Sequence, residues 1–328
     1  MLLLGQNNDP VHISDMFAAA ERIHKVVPPT ALVSVEPLNI QIGGKVYLKT
    51  ESLLPSGAYK FRGAINKINS LIEEYGKDIQ IIAASSGNHG MACALAGSRL
   101  GVKTTIVVPE PTPEIKRACI RALGANLLVL GETYDDSFQE ACKLAEKEHM
   151  FYVHPVADKY TVGGQGTIAL EVLEQLPSVD QIIVPLGGGG LITGISFAMK
   201  HLKPSVKIIG VMPEGSDVYY ASRKAGKLIT LDTCSTMADA VLRKTGEEYL
   251  FPYIEQYVDE IVTVTEENIK KAVKLGCLYG KLTLEGAAAM PLASLLEGKC
   301  TRTDNTVLVC SGGNIDQKLL ESCLQVEL

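Results

Sequence analysis

Short, almost wholly apolar runs in this chain break at clusters of glycine and serine and then give way to helical patterns. Ile79–Ile82 leads into Ser85-Ser86-Gly87-Asn88-His89-Gly90 and a helical stretch over Met91–Leu100. Gln181–Leu186 leads into Gly187-Gly188-Gly189-Gly190 and a helix over Leu191–Leu202, and Thr306–Cys310 stops at Ser311-Gly312-Gly313-Asn314. Between them lie strand-like runs at Thr104–Val108, Asn126–Leu130 and Lys207–Met212, with helical patterns at Glu114–Leu123 and Tyr134–His149. Strands that alternate with helices imply mainly parallel sheets with helices on both faces. Runs such as Ile182-Ile183-Val184 suit strands covered on both sides. In such α/β folds ligands gather beyond the C-terminal ends of the strands. All three small-residue clusters stand at such ends, so they can converge on one site despite their separation in sequence.

The bulk composition excludes several functions. Of 328 residues, 46% are hydrophobic and 21% charged, which is ordinary for a globular chain with a large core. The formal net charge is −6, the wrong sign for a nucleic-acid partner. The Met1–Gly5 start has no basic segment and no long apolar one, so no signal peptide is expected. Gly286–Leu296 is too short to cross a membrane and holds Pro291. Eight cysteines without a C-x-x-C pair suggest free thiols in a reducing compartment, so a cytoplasmic location is expected.

Four successive glycines at Gly187–Gly190 expose backbone N–H groups ahead of a helix N-terminus, which makes a phosphate cradle. The spacing matches neither a nucleoside-triphosphate loop nor a dinucleotide fingerprint. Ser85–Gly90 also follows a strand and opens a helix. It suits a second anion such as a carboxylate, although an ordinary helix cap reads equally well from the residues alone. Lys60, between Tyr59 and Phe61, would by itself be a surface lysine. Beside a phosphate cradle and a carboxylate cradle it becomes a candidate to bond an aldehyde cofactor. Phosphate, aldehyde and amino-acid carboxylate together point to pyridoxal phosphate.

From about Ala18 to about Ile315 the chain resembles the fold-type II pyridoxal-phosphate enzymes, in the branch of serine/threonine dehydratases and serine racemase. The segments that carry the resemblance stand in the family's order: Tyr47–Glu51, Tyr59–Ala64, Ser85–Gly90, Gly164-Gln165-Gly166-Thr167, Gly187–Leu191, Ala238-Asp239-Ala240, Leu284-Glu285-Gly286-Ala287 and Ser311–Asn314. The resemblance implies a two-lobed molecule with the cofactor between the lobes. The larger lobe is expected over 1–81 and 160–328, with a smaller one over 82–159 inserted into it, and the enzyme is expected to work as a homodimer on a small amino acid. It implies that Lys60 forms the Schiff base and that Asn88 binds the ring hydroxyl. Gly187, Gly188, Gly189 and Gly190 would hold the phosphate, and Ser311 would face the pyridine nitrogen. Ser85, Ser86, Asn88 and His89 would receive the substrate carboxylate. A neutral serine opposite the ring nitrogen leaves charge at Cα less delocalised, which favours loss of a β-leaving group.

The implied reaction is dehydration of L-serine or L-threonine to a 2-oxo acid and ammonia, with Lys60 removing the Cα proton. The nearest alternative is racemisation, in which Ser86 would serve as acid on the opposite face. A β-replacement transferase of the cysteine synthase type fits Lys60-Phe61-Arg62 less well, and retention of Lys60 and Ser311 argues against a non-catalytic binding protein. The chain departs from the family at Ala58 and Tyr59, and at Val156-Ala157 after His154-Pro155, a loop expected to touch the substrate end. A cation site is common in this branch. Glu214 and Asp217, after the strand Ile208–Met212, are candidates for Mg²⁺ or Ca²⁺, with a solvated turn as the equal alternative.

Overall fold

A computed structural model describes Leu4 and residues 6–328; Met1–Leu3 and Gly5, on which the expectation about a signal peptide partly rests, lie outside the described residues. The first part of the chain forms α1 (Ile13–His24), β1 (Leu32–Val33), α2 (Glu36–Gln41), β2 (Tyr47–Lys49), α3 (Lys60–Tyr75), β3 (Gln80–Ala84), α4 (Asn88–Leu100) and β4 (Lys103–Val108). It continues through α5 (Glu114–Ala122), β5 (Asn126–Val129), α6 (Tyr134–Lys147), β6 (Phe151–Tyr152), α7 (Lys159–Gln175), β7 (Gln181–Pro185) and α8 (Gly190–Leu202). The remainder is β8 (Lys207–Pro213), α9 (Val218–Ala225), α10 (Phe251–Tyr257), β9 (Glu260–Val264), α11 (Glu266–Leu278), α12 (Gly286–Leu296), β10 (Thr306–Val309) and α13 (Gln317–Leu324).

The chain divides into two compact units, 1–28 with 60–165, and 29–59 with 166–328. The expected span 82–159 lies inside the first unit. That unit also takes in α1 and α3; α1 packs on α3, and α3 packs on α4. Its sheet has four parallel strands in the order β5-β4-β3-β6. A core of Ile82, Ala84, Val107, Ala141, Ala145 and Tyr152 joins β3, β4 and β6 to α6. β3 and β6 are parallel neighbours, with Ile82 opposite Tyr152, so the loops after Ala84 and after Tyr152 leave the same edge.

The second unit holds a six-stranded sheet in the order β1-β2-β10-β7-β8-β9. Every pairing is parallel except β1 with β2. The five residues of β7 are all buried, as expected for a strand covered on both faces. Because β2, β10 and β7 are parallel neighbours, the loops that follow them leave one edge side by side. The chain advances outward from β7 through β8 to β9, whereas β10 and β2 lie on its other flank. The strand order therefore reverses between β10 and β7, where ligands bind in open parallel sheets.

Candidate active site

In the second unit, the segment just before Lys60 zips onto the segment after β10. Asn314 Nδ2 donates to Ser56 O at 2.9 Å, Gly313 N to Gly57 O at 2.9 Å and Tyr59 N to Ser311 O at 2.9 Å. Ala58 bridges Gly312 between them. Gly57 turns through φ +78°, and a Cβ there would strike the Asn314 amide. Two separate sequence motifs, Ser56–Tyr59 and Ser311–Asn314, are thus one structure. It fixes the segment that ends at Tyr59, the residue before Lys60 in sequence.

The Ser311 side chain is 2% exposed, and its hydroxyl makes no hydrogen bond among the described residues. Glu285, 4% exposed, stands at the N-terminal boundary of α12 and leans against Gly312, leaving no space for a Cβ there. Beside them the turn after β7 runs into α8. The amides of Gly187, Gly188 and Gly189 donate to no oxygen among the described residues. Gly189 takes φ +92° as the N-cap of α8. A Cβ on Gly187 would come within 2.7 Å of the Val241 backbone. The turn therefore keeps a row of bare N–H groups at the positive end of a 13-residue helix, an anion cradle that a side chain would spoil.

In the first unit, Lys60 is the first residue of α3 and its Nζ donates to Pro155 O at 2.7 Å. Pro155 lies in the loop after β6, next to the loop Ser85–Gly87 that follows β3. Lys60 and the Ser85–Asn88 turn therefore belong to one edge of this sheet. Ser85, Ser86, Gly87 and Asn88 are half-buried, with Asn88 opening α4. Gly90 is required because the Ser85 carbonyl folds over α4 where its Cβ would be. The His89 ring is buried, with Nε2 at 2.8 Å from Val153 O, and Cys93 Sγ lies 3.5 Å from that nitrogen. His89 thus ties α4 to the loop beyond β6, a structural hold beside the carboxylate-binding role expected for it. Burial pushes the Cys93 thiol well above its ordinary range, and Lys60 offsets part of that. The thiol stays protonated and is no nucleophile.

The loop that receives Lys60 is itself anchored. Asp158 caps α7, accepting from Tyr160 N at 2.9 Å and Thr161 N at 3.1 Å. It pairs with Lys67 at 2.8 Å, both side chains being 0–1% exposed, and accepts from Asn7 N at 2.8 Å. Gln6 Nε2 donates to Ala157 O at 2.7 Å. Sequence reading missed Asp158. The signal available was an acidic residue directly ahead of a helical pattern, a common cap. It also missed the reason for Gly63 and Gly164. A Cβ on Gly164 would lie 2.7 Å from Gly63 Cα, so α3 and α7 cross backbone to backbone. Both polar atoms of the Gln165 amide, beside that crossing, are buried without partners among the described residues.

Glu214 is exposed and Asp217 half-buried, in the turn that opens α9. Among the described residues no group of three or more His, Cys, Asp or Glu side chains is placed to hold a metal ion. No helix among them is long and apolar enough to cross a membrane.

The unpartnered glycine amides and the unpartnered Ser311 hydroxyl fit an aromatic cofactor with a phosphate at one end and a ring nitrogen at the other. Comparison with known proteins points the same way. An L-threonine ammonia-lyase of Thermotoga maritima is 38% identical over 311 residues, covering 95% of this chain and 77% of that one. The structure of maize serine racemase superposes with a TM-score of 0.89 at 33% identity, covering 95% of this chain and 96% of that one. The processed form of threonine deaminase isoform 2 from Solanum lycopersicum gives 0.89 at 32% identity, covering 98% and 92%. The profile of the family described as pyridoxal-phosphate dependent enzyme matches residues 23–312, and the chain belongs to that family.

Proposed function

We propose that this enzyme removes water and ammonia from a small β-hydroxy amino acid, L-threonine or L-serine, leaving a 2-oxo acid. The observation that carries the reading is the neutral, unpartnered Ser311 hydroxyl beside the glycine cradle. Pyridoxal phosphate, when bound, supplies the aldehyde that captures the substrate amine and a ring that takes up negative charge from Cα. The chain's own groups do the rest. The Lys60 amine accepts the Cα proton, from a place at the positive end of α3 where a second positive charge is least favoured. Ser311 would offer the ring nitrogen a hydroxyl instead of a carboxylate, which would favour departure of the β-hydroxyl over prolonged storage of charge in the ring. Ser85, Ser86 and the amides at the start of α4 orient the substrate carboxylate. Loss of one water and uptake of another balance the conversion to 2-oxo acid and ammonia. The L-threonine ammonia-lyase relative supports the substrate class.

The half-buried Ser86, in a chain that is also similar to maize serine racemase, favours a second activity. A hydroxyl on the face opposite Lys60 would return a proton to Cα and invert it. We also infer a cytoplasmic enzyme, on the strength of eight cysteines none of which is in a disulfide.

The test is purified enzyme with L-threonine, L-serine, D-serine and 3-hydroxyaspartate, scoring 2-oxo acid, ammonia and enantiomer together, with and without sulfide. Release of 2-oxo acid from L-threonine or L-serine is expected. A thiol product with sulfide, cysteine from L-serine, and no 2-oxo acid would reject the lyase reading. Ser86→Ala should suppress D-serine formation more than loss of water from L-serine. An unchanged ratio would reject the role of Ser86.

A further inference from the structure

The segment Ala238–Glu247 runs as a strap along the glycine cradle and is fastened to it at both ends. At one end Val241 packs against Gly187 so closely that no Cβ fits. At the other, the Tyr219 hydroxyl accepts from Glu247 N at 2.8 Å and donates to Gly188 O at 3.2 Å. In the middle the Ser216 hydroxyl, fully buried, clamps one residue by both backbone groups. It accepts from Arg243 N at 2.9 Å and donates to Arg243 O at 3.1 Å. Arg243 is therefore held rigidly at the rim of the cradle.

Its side chain is half-buried, yet its guanidinium has no carboxylate, carbonyl or ring partner among the described residues. The charge is felt on both sides of the cradle. Burial raises the Tyr59 hydroxyl and Glu285 raises it further, while Arg243 pulls it down. At Tyr219 burial again raises the hydroxyl and Arg243 opposes it. A half-buried guanidinium without a counter-ion is costly, and the glycine amides along which its strap runs are equally without one. One anion satisfies both.

We propose that Arg243 is a further cofactor-binding residue, which supplies the charge that holds the phosphate seated on Gly187–Gly189. The amides give the phosphate its place and Arg243 gives it a fixed positive partner with donors of matching geometry. This rests on the family's cofactor and not on which amino acid is turned over, so it stands or falls separately from the lyase reading.

The test measures cofactor release from wild-type and R243Q holoenzyme by equilibrium dialysis, with pyridoxal, which lacks the phosphate, as the comparison ligand. A charge-assisted hydrogen bond lost from a phosphate should raise the dissociation constant of pyridoxal phosphate about ten-fold or more. Pyridoxal should bind both proteins alike. R243K should recover part of the loss, and the ³¹P resonance of bound cofactor should move in R243Q. Equal midpoints of thermal unfolding for the cofactor-free proteins would show that the strap is intact. If those midpoints differ, R243K carries the test, because it keeps the charge and changes only the donor geometry. Three results would overturn the proposal: an unchanged dissociation constant, an equal weakening of pyridoxal, or a defect confined to the KM for 3-hydroxyaspartate. The last would give Arg243 to a substrate carboxylate instead.

Discussion

At the scale of single residues, Lys60 and Ser311 gain meaning from what the chain does around them. Lys60 became a candidate from the sequence because it stands in Tyr59-Lys60-Phe61-Arg62-Gly63. Its surroundings were not legible. The carbonyl of Pro155 that accepts its Nζ belongs to a loop 95 positions away, and a backbone acceptor leaves no mark in side-chain sequence. Arg243 escaped for a related reason, since a lone arginine in a polar stretch reads as solvated surface until its packing is seen. Lys60→Ala should remove the visible absorption of the bound cofactor and at least about three orders of magnitude of turnover, within the range assigned to positioned acid–base groups and nucleophiles together. The fold should survive, because Lys60 is only half-buried and its Nζ bond to Pro155 O is replaceable by water. Absorbance and circular dichroism on one preparation check this. Retained turnover would remove Lys60 from the mechanism.

At the scale of elements, the apolar runs located the central strands to within a residue or two. Thr104–Val108 is part of β4 (Lys103–Val108), Gln181–Leu186 covers β7, Lys207–Met212 stops one residue short of the end of β8 and Ile79–Ile82 two short of the end of β3 (Gln80–Ala84). Strands buried on both faces announce themselves, whereas the two-residue β1 and β6 do not. Helix crossings are harder still, because they depend on which glycines face each other. That yields a paired prediction on α7. Gly164→Ala drives a Cβ to 2.7 Å from Gly63 Cα and 2.8 Å from Arg62 O, and backbone cannot yield cheaply. It should cost about 1–3 kcal/mol. Gly163→Ala, whose nearest contact is an ordinary 3.4 Å, should be neutral or slightly stabilising through helix propensity. Thermal unfolding of the two variants separates a specific crossing from general intolerance of alanine.

The clamp between α1 and α3 adds a pH dependence. Arg22 donates to Glu73 from Nε at 2.9 Å and to Asn66 from Nη1 at 2.9 Å. The hydrogen bond and charge of Arg22 hold the Glu73 carboxyl below its ordinary value of 4.5, against some desolvation. A depressed folded value means the contribution is complete above 4.5 and is lost as pH falls through the folded value. Glu73 is solvent-exposed and the pair is screened, so it is worth at most about 1 kcal/mol. Arg22→Gln should lower the midpoint of unfolding at neutral pH, and the gap from wild type should narrow as the pH falls below 4.5. The part owed to Asn66 should persist there. A gap that stays constant with pH would mean that Glu73 contributes nothing.

At the scale of the whole molecule, the division into units was the least legible feature. The helices α1 and α3 flank the six-stranded unit's first residues in sequence, but they belong to the unit of the four-stranded sheet. Nothing local decides between sheets, since the choice rests on long-range packing. Function at this scale is a linkage between binding and folding. A ligand held only by the folded protein raises its stability by RT ln(1 + [L]/Kd), about 2.7 kcal/mol at a hundred times Kd. Wild-type protein should therefore unfold at progressively higher temperature as pyridoxal phosphate is added. Gly188→Asp sets a carboxylate in the cradle against a phosphate, so its midpoint should hardly respond to the same additions. The comparison must be made against each protein's own cofactor-free midpoint, because an aspartate on this turn also disturbs the Tyr219 bond to Gly188 O. If the midpoint of Gly188→Asp rises as steeply with cofactor as that of wild type, the phosphate is held elsewhere than on the glycine turn.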